Sequence, residues 1–223
     1  MMTEDDRGGA LEIAEPATPI LFPGDGEGTA SLLAALNRLR SALDRERAEA
    51  PALAAELLAL PPGRREERLR GDGRFQTWGL CELLLTQSLD PAVDPATADS
   101  LAGLALAGAD RLDPSRHAAP VVEDLKARAW AAAGEARRRQ GDLAGAETAV
   151  RAAASRLAHG TGDLLVEARL LEFEAAVRRD QGRGGEAAAL LKLAAARYRE
   201  SGETQLLERV LAARAEVLRH AVK

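Results

Sequence analysis

Few side chains in this sequence are of the types that do catalytic or metal chemistry. The 223 residues include one cysteine, so an internal disulfide is excluded. Cys81 lies in the apolar run from Trp78 to Leu85, and we interpret it as a buried structural thiol rather than a nucleophile. The three histidines lie near predicted loops or chain ends, without a second ligand at metal-site spacing: His117, His159 and His220. We therefore predict surface histidines, no metal and no catalytic residue.

Two segments are rich in glycine, as phosphate-binding loops are. Residues 24–28 and 182–185 neither follow a predicted strand nor carry the Lys-Ser/Thr pair of a phosphate-binding loop. The first is typical of a linker and the second of a turn between helices. Carboxylates are abundant, but no pair stands out as a general acid and base. The sequence accordingly predicts no cofactor and no enzymatic activity.

Arginine supplies nearly all of the positive charge in this sequence, since lysine occurs only at positions 126, 192 and 223. The net charge is −5, with both signs mixed along the chain. A protein that binds phosphate backbones usually shows a basic surplus, so nucleic acid is the less favoured partner. No apolar stretch approaches the ~18 residues that span a bilayer, and no leader is recognisable. We expect no membrane association and a cytoplasmic location.

The elements that position these residues are predicted to be helices. Hydrophobic residues make up 46% of the chain and aromatic residues only 3%, so the core must consist of Leu, Ala and Val. Ala and Leu favour helices, and no segment alternates with the period of a strand. The predicted helices cover 31–47, 51–60, 74–88, 94–112, 121–140, 143–157, 164–180, 184–199 and 204–221, with one or two turns at 64–70.

Three segments follow from this pattern. Residues 1–27 are acidic and rich in Pro and Gly, which predicts a flexible tail. Residues 28–72 are expected to form an N-terminal helical hairpin, in which Leu32, Leu36, Leu39 and Leu43 make one apolar stripe. Residues 73–223 contain an internal repeat.

The repeat is clearest between residues 127 and 160. Its markers are, in order, Trp130, Gly134, the turn Gln140-Gly141-Asp142, Ala146 and Ala153. Two antiparallel helices approach closely only where the facing side chains are small, and Gly134 and Ala146 supply such points. The turn returns 41 residues later as Gln181-Gly182-Arg183, with small residues again at the equivalent places: Ala175, Ala187 and Ala194.

This pattern resembles the tetratricopeptide repeat, and the resemblance covers about residues 74–223. It is weakest in the first helix pair, where Ala98 and Ala105 mark it. The spacing of 41 exceeds the usual 34, so a related helical-repeat array remains an alternative. The resemblance implies an all-α solenoid of antiparallel helix pairs, with an N-terminal helical extension and a C-terminal capping helix at 204–221.

The resemblance also implies which residues face a concave groove. The charged residues at the groove positions are Arg128, Glu135, Arg138, Arg139, Arg169, Glu172, Arg179, Asp180, Arg209 and Arg219. Ala131 and Ala176 occupy two further positions. Arginine thus recurs at two equivalent positions in three successive helices. One hypothesis is a ladder that recognises carboxylates through bidentate hydrogen bonds, and the alternative is a solvated helix face.

A scaffold, adaptor or regulatory subunit is the function that these features favour. It would bind a protein or peptide partner in the groove, with acidic or C-terminal segments as candidates. The alternative is a nucleic-acid-associated regulator in a multi-protein regulatory or defence system, with residues 31–88 as its binding unit. Oligomeric state and the identity of the partner do not follow from the sequence.

Overall fold

The structure of the protein is a computed structural model that describes the backbone of residues 26–221 and the side chains of residues 28–220. Every regular element in this range is a helix, which confirms the predicted all-α fold. By its internal contacts the chain divides into two units, residues 1–40 and 41–223. The predicted tail lies outside the described residues, except that its last two residues begin the first helix. No helix between residues 26 and 221 is long and apolar enough to cross a membrane.

The helices follow one another with short connections. In chain order they are α1 (Gly26–Leu58), α2 (Pro62–Gly71), a 3-10 turn (Gly73–Phe75), α3 (Trp78–Ser88), α4 (Pro95–Ala109), α5 (Ala119–Arg139), α6 (Leu143–Leu157), α7 (Leu164–Asp180), α8 (Gly184–Glu200) and α9 (Thr204–Ala221). From α3 onward each helix packs against the helix that follows it, and α5 also contacts both α3 and α7.

Side-chain caps fix where several helices begin. Asp94 accepts a hydrogen bond from the Thr97 amide at 3.0 Å, directly before Pro95 opens α4 as predicted. Asp142 accepts one from the Gly145 amide at 2.8 Å at the start of α6. These bonds satisfy backbone donors that the first helical turn leaves without a partner.

Left-handed glycines end three helices in the same way. Gly141, Gly182 and Gly202 have φ of 82°, 76° and 75°, a conformation that costs glycine little. After each of them, the next amide donates to the carbonyl five residues back, as Asp142 does to Arg137 at 3.0 Å. The predicted turns at 141 and 182 are confirmed. The break predicted between residues 199 and 204 is confirmed too, although Gly202 was not foreseen as its turn residue.

The small residues that mark the repeat are all buried. Ala146, Ala153, Ala187 and Ala194 have no exposed surface, and Ala175 is 1% exposed. The apolar residues form separate clusters: one chiefly from α3, α4 and α5, one around Phe173 and Val177, and one from α7, α8 and α9. Cys81 is 1% exposed in the first cluster, which confirms its predicted burial, and this burial raises the pKa of its thiol to about 12.

Gly134 is a point of close approach between three helices. A Cβ atom at this position would lie 2.3 Å from Phe173 Cζ of α7 and 2.7 Å from Ala149 Cβ of α6. Both distances are far below van der Waals contact. The absence of a side chain at residue 134 therefore allows α5, α6 and α7 to meet.

The N-terminal region differs from its prediction. The expected break between residues 47 and 51 is wrong, because α1 continues through Pro51. Proline removes only the hydrogen bond to the Arg47 carbonyl, and Ala50, Ala54 and Leu57 on both sides are buried and hold the helix. The domain boundaries after residues 27 and 72 stay predictions.

Three smaller predictions also fail. The helix expected at 74–88 begins only at Trp78, because Thr77 caps it by accepting from the Leu80 amide at 3.3 Å. The predicted stripe is mostly uncovered, with Leu32 60% exposed and Leu39 47% exposed. His117 is buried rather than on the surface, since its ring stacks on Trp78 with centroids 5.5 Å apart.

We expect Gly134→Ala to lower the free energy of unfolding by about 1–3 kcal/mol, since the added methyl group overpacks a three-helix contact. Gly103→Ala is the matched control, because Gly103 lies inside α4 with open space around its Cβ position. There the same change should stabilise by about 0.5–1 kcal/mol through helix propensity. Chemical denaturation measures the free energy of unfolding of both variants. If the two substitutions changed it equally, the close contact at Gly134 would be contradicted.

Candidate functional site

A cavity of about 620 Å³ is lined by α5, α7 and α9 within residues 41–223. It brings together seven of the charged groove residues that the sequence predicted: Arg128, Glu135, Arg138, Arg169, Glu172, Arg179 and Arg209. Ala131 and Ala176 line it as well. Five arginines against two glutamates make the wall of the cavity positive, although the whole chain is acidic. The volume falls in the range of about 300–1,000 Å³ that is usual for ligand sites.

Three of the predicted charged groove residues do not line this cavity: Arg139, Asp180 and Arg219. Arg139 instead donates to the carbonyls of Pro91 and Val93, at 3.1 and 2.8 Å, and so fastens the end of α5 to the connection before α4. Arg219 is exposed near the end of α9. Of the six arginines predicted to recur at two equivalent positions in three helices, five line the cavity and Arg219 does not.

Arg138 and Asp180 form the centre of one charge network. The Arg138 guanidinium binds both carboxylate oxygens of Glu135, at 2.7 and 2.8 Å, and also donates to Asp180. Asp180 accepts from Arg179 as well, at 3.0 Å. Burial would raise the pKa of Asp180, but the hydrogen bonds from Arg138 and Arg179 outweigh it and hold the pKa below its usual range. The network joins α5 to the end of α7.

Glu172 is the centre of a second network. It accepts a hydrogen bond from the buried Tyr198 hydroxyl of α8 and two from Arg209 of α9, at 3.0 and 3.2 Å. Burial, and next the hydrogen bond to Glu172, raise the pKa of Tyr198 above its usual value. Glu172 thereby fixes the position of Arg209 at the rim of the cavity.

Arg128 and Arg169 differ from the other three arginines of the cavity. Among the described residues, neither has a hydrogen bond or an ion pair to a carboxylate. Arg128 is partly buried, and this burial lowers the pKa of its guanidinium. Attraction by Glu82 offsets the shift in part, while repulsion by Arg169 adds to it. Arg128 is therefore partly desolvated, whereas Arg169 is exposed.

Apolar side chains complete the cavity wall. They are Leu89, Val166, Leu170, Phe173 and Leu206. The prediction missed them because it considered only the groove positions implied by the resemblance. Helical spacing could have found some of them, since Val166, Leu170 and Phe173 fall three or four residues apart on the face of α7 that carries Arg169.

A second cavity of about 580 Å³ lies beside the start of α8. Its lining includes Arg179, Gly184, Gly185 and His220. Its arginine is already paired with Asp180. Among the described residues, no group of three or more His, Cys, Asp or Glu side chains is placed to hold a metal ion. The first cavity is therefore the better candidate for a binding site.

We expect Asp180→Asn to lower the free energy of unfolding by about 1 kcal/mol at pH 7, because it removes the carboxylate shared by Arg138 and Arg179. The lowered pKa of Asp180 means that its contribution is complete above the ordinary carboxyl pKa of about 3.9 and is lost as the pH falls through the folded-state pKa. The difference in the free energy of unfolding between the parent protein and Asp180→Asn should therefore disappear at acidic pH.

Urea unfolding between pH 7 and pH 2.5 measures this dependence. Glu67→Gln is the control, since it removes an exposed pair with Arg64 in which both side chains are 72% exposed, and it should change stability little. A pH-independent loss in Asp180→Asn would show that the ion pairs do not cause it.

Similarity to known proteins does not identify the site. The sequence matches no protein-family model, no curated protein matches it, and no solved structure matches the fold. A function can therefore be argued only from the geometry and charge of the cavity.

Proposed function

We propose that this protein is a non-catalytic interaction module that binds a segment of a partner protein in the cavity lined by α5, α7 and α9. The observation that carries the proposal is the convergence of seven groove residues on this cavity, drawn from every second helix of the chain: α5, α7 and α9. A surface built from successive helices suits an extended or helical peptide, because each helix contributes contacts at a regular interval.

The packing of the helices supports a repeat array of the tetratricopeptide kind. The pairs α5–α6 and α7–α8 each turn at a left-handed glycine, Gly141 or Gly182. The first helix of one pair contacts the first helix of the next, as α5 does α7. In this proposal α9 is the capping helix, and Arg209 and Leu206 let it contribute to the binding surface as well.

The chemistry of the cavity supports binding rather than catalysis. Among the described residues that line it there is no Ser, Thr, Cys, His or Lys, the usual nucleophiles and proton carriers. Its two carboxylates, Glu135 and Glu172, are held in ion pairs with Arg138 and Arg209. Mixed apolar and arginine side chains are typical of protein interfaces, where arginine is enriched and lysine depleted.

Site-specific photo-crosslinking tests the proposal. Benzoylphenylalanine is placed at Ala131 or Ala176, both in the cavity wall, and the purified full chain is irradiated in an extract of the source organism. We expect both positions to capture the same protein, because they lie on adjacent helices of one cavity. Mass spectrometry identifies the product.

The control carries benzoylphenylalanine at Ala144, which is exposed on α6 and does not line the cavity. It should capture little of that protein. Equal capture at all three positions would place the interface elsewhere, and capture of nucleic acid at Ala131 and Ala176 would favour the nucleic-acid alternative.

A further inference from the structure

The first half of α1 exposes its apolar side chains. Every residue from 28 to 41 is exposed. The leucines among them keep about half of their surface in contact with water: Leu32 60%, Leu33 55%, Leu36 53% and Leu39 47%. Most of the stability of a helix in a protein comes from the packing of its apolar face, and a helix of about 15 residues is marginal in water by itself. We therefore expect another surface to cover this face.

The spacing of these leucines fits the seam between two packed helices. In the sequence the positions are 4, 3 and 4 residues apart, as in the repeat that brings apolar side chains together in a coiled coil: Leu32, Leu36, Leu39 and Leu43. A second copy of the helix can run antiparallel with its Leu39 opposite Leu36. The same register puts its Leu43 opposite Leu32, so that leucine meets leucine in every layer. The leucine stripe formed by these four residues is thus complementary to itself.

The charges before and within the leucine stripe distinguish the two directions of pairing. Residues 1–27 carry seven acidic side chains and one arginine, whereas residues 38–47 carry four arginines and two acidic side chains. An antiparallel pair brings the acidic segment of each copy towards the arginines of the other, and a parallel pair brings like charges together. The dipoles of the two helices also favour the antiparallel arrangement.

We propose that α1 forms an antiparallel homodimer, in which the leucine stripe of one copy packs against the leucine stripe of a second copy. The homodimer does not depend on the proposed function, because none of the four leucines lines the cavity between α5, α7 and α9. Each copy contributes about 16 residues, fewer than the 20–30 on each side of a standard interface. We therefore expect a dissociation constant in the micromolar range.

Sedimentation equilibrium of the full chain between about 1 and 200 µM tests the homodimer. We expect the parent protein to change from monomer to dimer over this range. Leu36→Glu should raise the dissociation constant at least about tenfold, because it buries one unpaired carboxylate from each copy in the seam.

Leu193→Glu is the matched control, because Leu193 of α8 is 53% exposed, as Leu36 is, but lies outside the leucine stripe. This variant should dimerise like the parent protein. A parent protein that stays monomeric at about 200 µM, or an equal loss of dimer in both variants, would overturn the proposal. Circular dichroism verifies that both variants remain helical.

Disulfide crosslinking tests the direction of the pair. Leu32→Cys and Leu43→Cys proteins are oxidised with diamide, alone and mixed, and we expect a linked dimer only in the mixture, since position 32 faces position 43 of the second copy. The natural thiol of Cys81 does not interfere, because it is 1% exposed and its pKa is about 12. A linked dimer of Leu32→Cys alone would show parallel helices and would overturn the antiparallel pair.

A membrane surface is the competing cover for the leucine stripe. The acidic segment that precedes α1 opposes it, because anionic lipids repel negative charge. Flotation with vesicles of equal parts phosphatidylcholine and phosphatidylserine separates the two occupants, and we expect the parent protein to stay out of the vesicle fraction. Flotation of the parent but not of Leu36→Glu, without a dimer in solution, would assign the stripe to a membrane and overturn the proposal.

Discussion

The contact of Gly134 with Phe173 and Ala149 is the constraint on which the rest of the structure depends. Here three helices meet at one residue without a side chain, and a Cβ atom would lie 2.3 Å from the Phe173 ring. Because α5 and α7 pack this closely, residues on their neighbouring faces line one cavity. Phe173 serves both sides of the contact, since its ring packs near Gly134 and also forms part of the cavity wall. Phe173 therefore takes part both in the packing of α5 against α7 and in the wall of the cavity.

Internal ion pairs determine which charges the cavity offers to a ligand. An acidic protein can present a positive cavity because its carboxylates and arginines are unevenly distributed, with five arginines and two glutamates on this wall. Asp180 and the two glutamates bind three of those arginines and link α5, α7 and α9. Much of the predicted arginine ladder thus stabilises the fold. The other two arginines of this wall, Arg128 and Arg169, have no ion pair to a carboxylate among the described residues.

The sequence predicted the helices after residue 94 well, because their signals are local. Gly141 and Gly182 mark turns through backbone conformation, Asp94 and Asp142 mark helix starts through capping, and Gly134 marks a close approach through its size. The groove positions were taken from the resemblance to the tetratricopeptide repeat, and seven of the charged residues at these positions line one cavity. Pairing partners could not be predicted: whether Arg138 binds Asp180, or Arg139 the carbonyl of Val93, depends on distances between helices far apart in sequence. The continuity of α1 through Pro51 and the burial of His117 were missed because tertiary contacts override local preference there.

The most direct test of the central claim is a double-mutant cycle between Gly134 and Phe173. Gly134→Ala is measured by chemical denaturation in the parent protein and in Phe173→Leu, where the shorter side chain leaves room for the added methyl group. Our account predicts that the penalty of Gly134→Ala falls by about 1 kcal/mol or more in the Phe173→Leu background, because the clash that causes it is relieved. Additive effects of the two substitutions would show that Gly134 does not set the approach of α5 to α7 through Phe173, and would contradict the account.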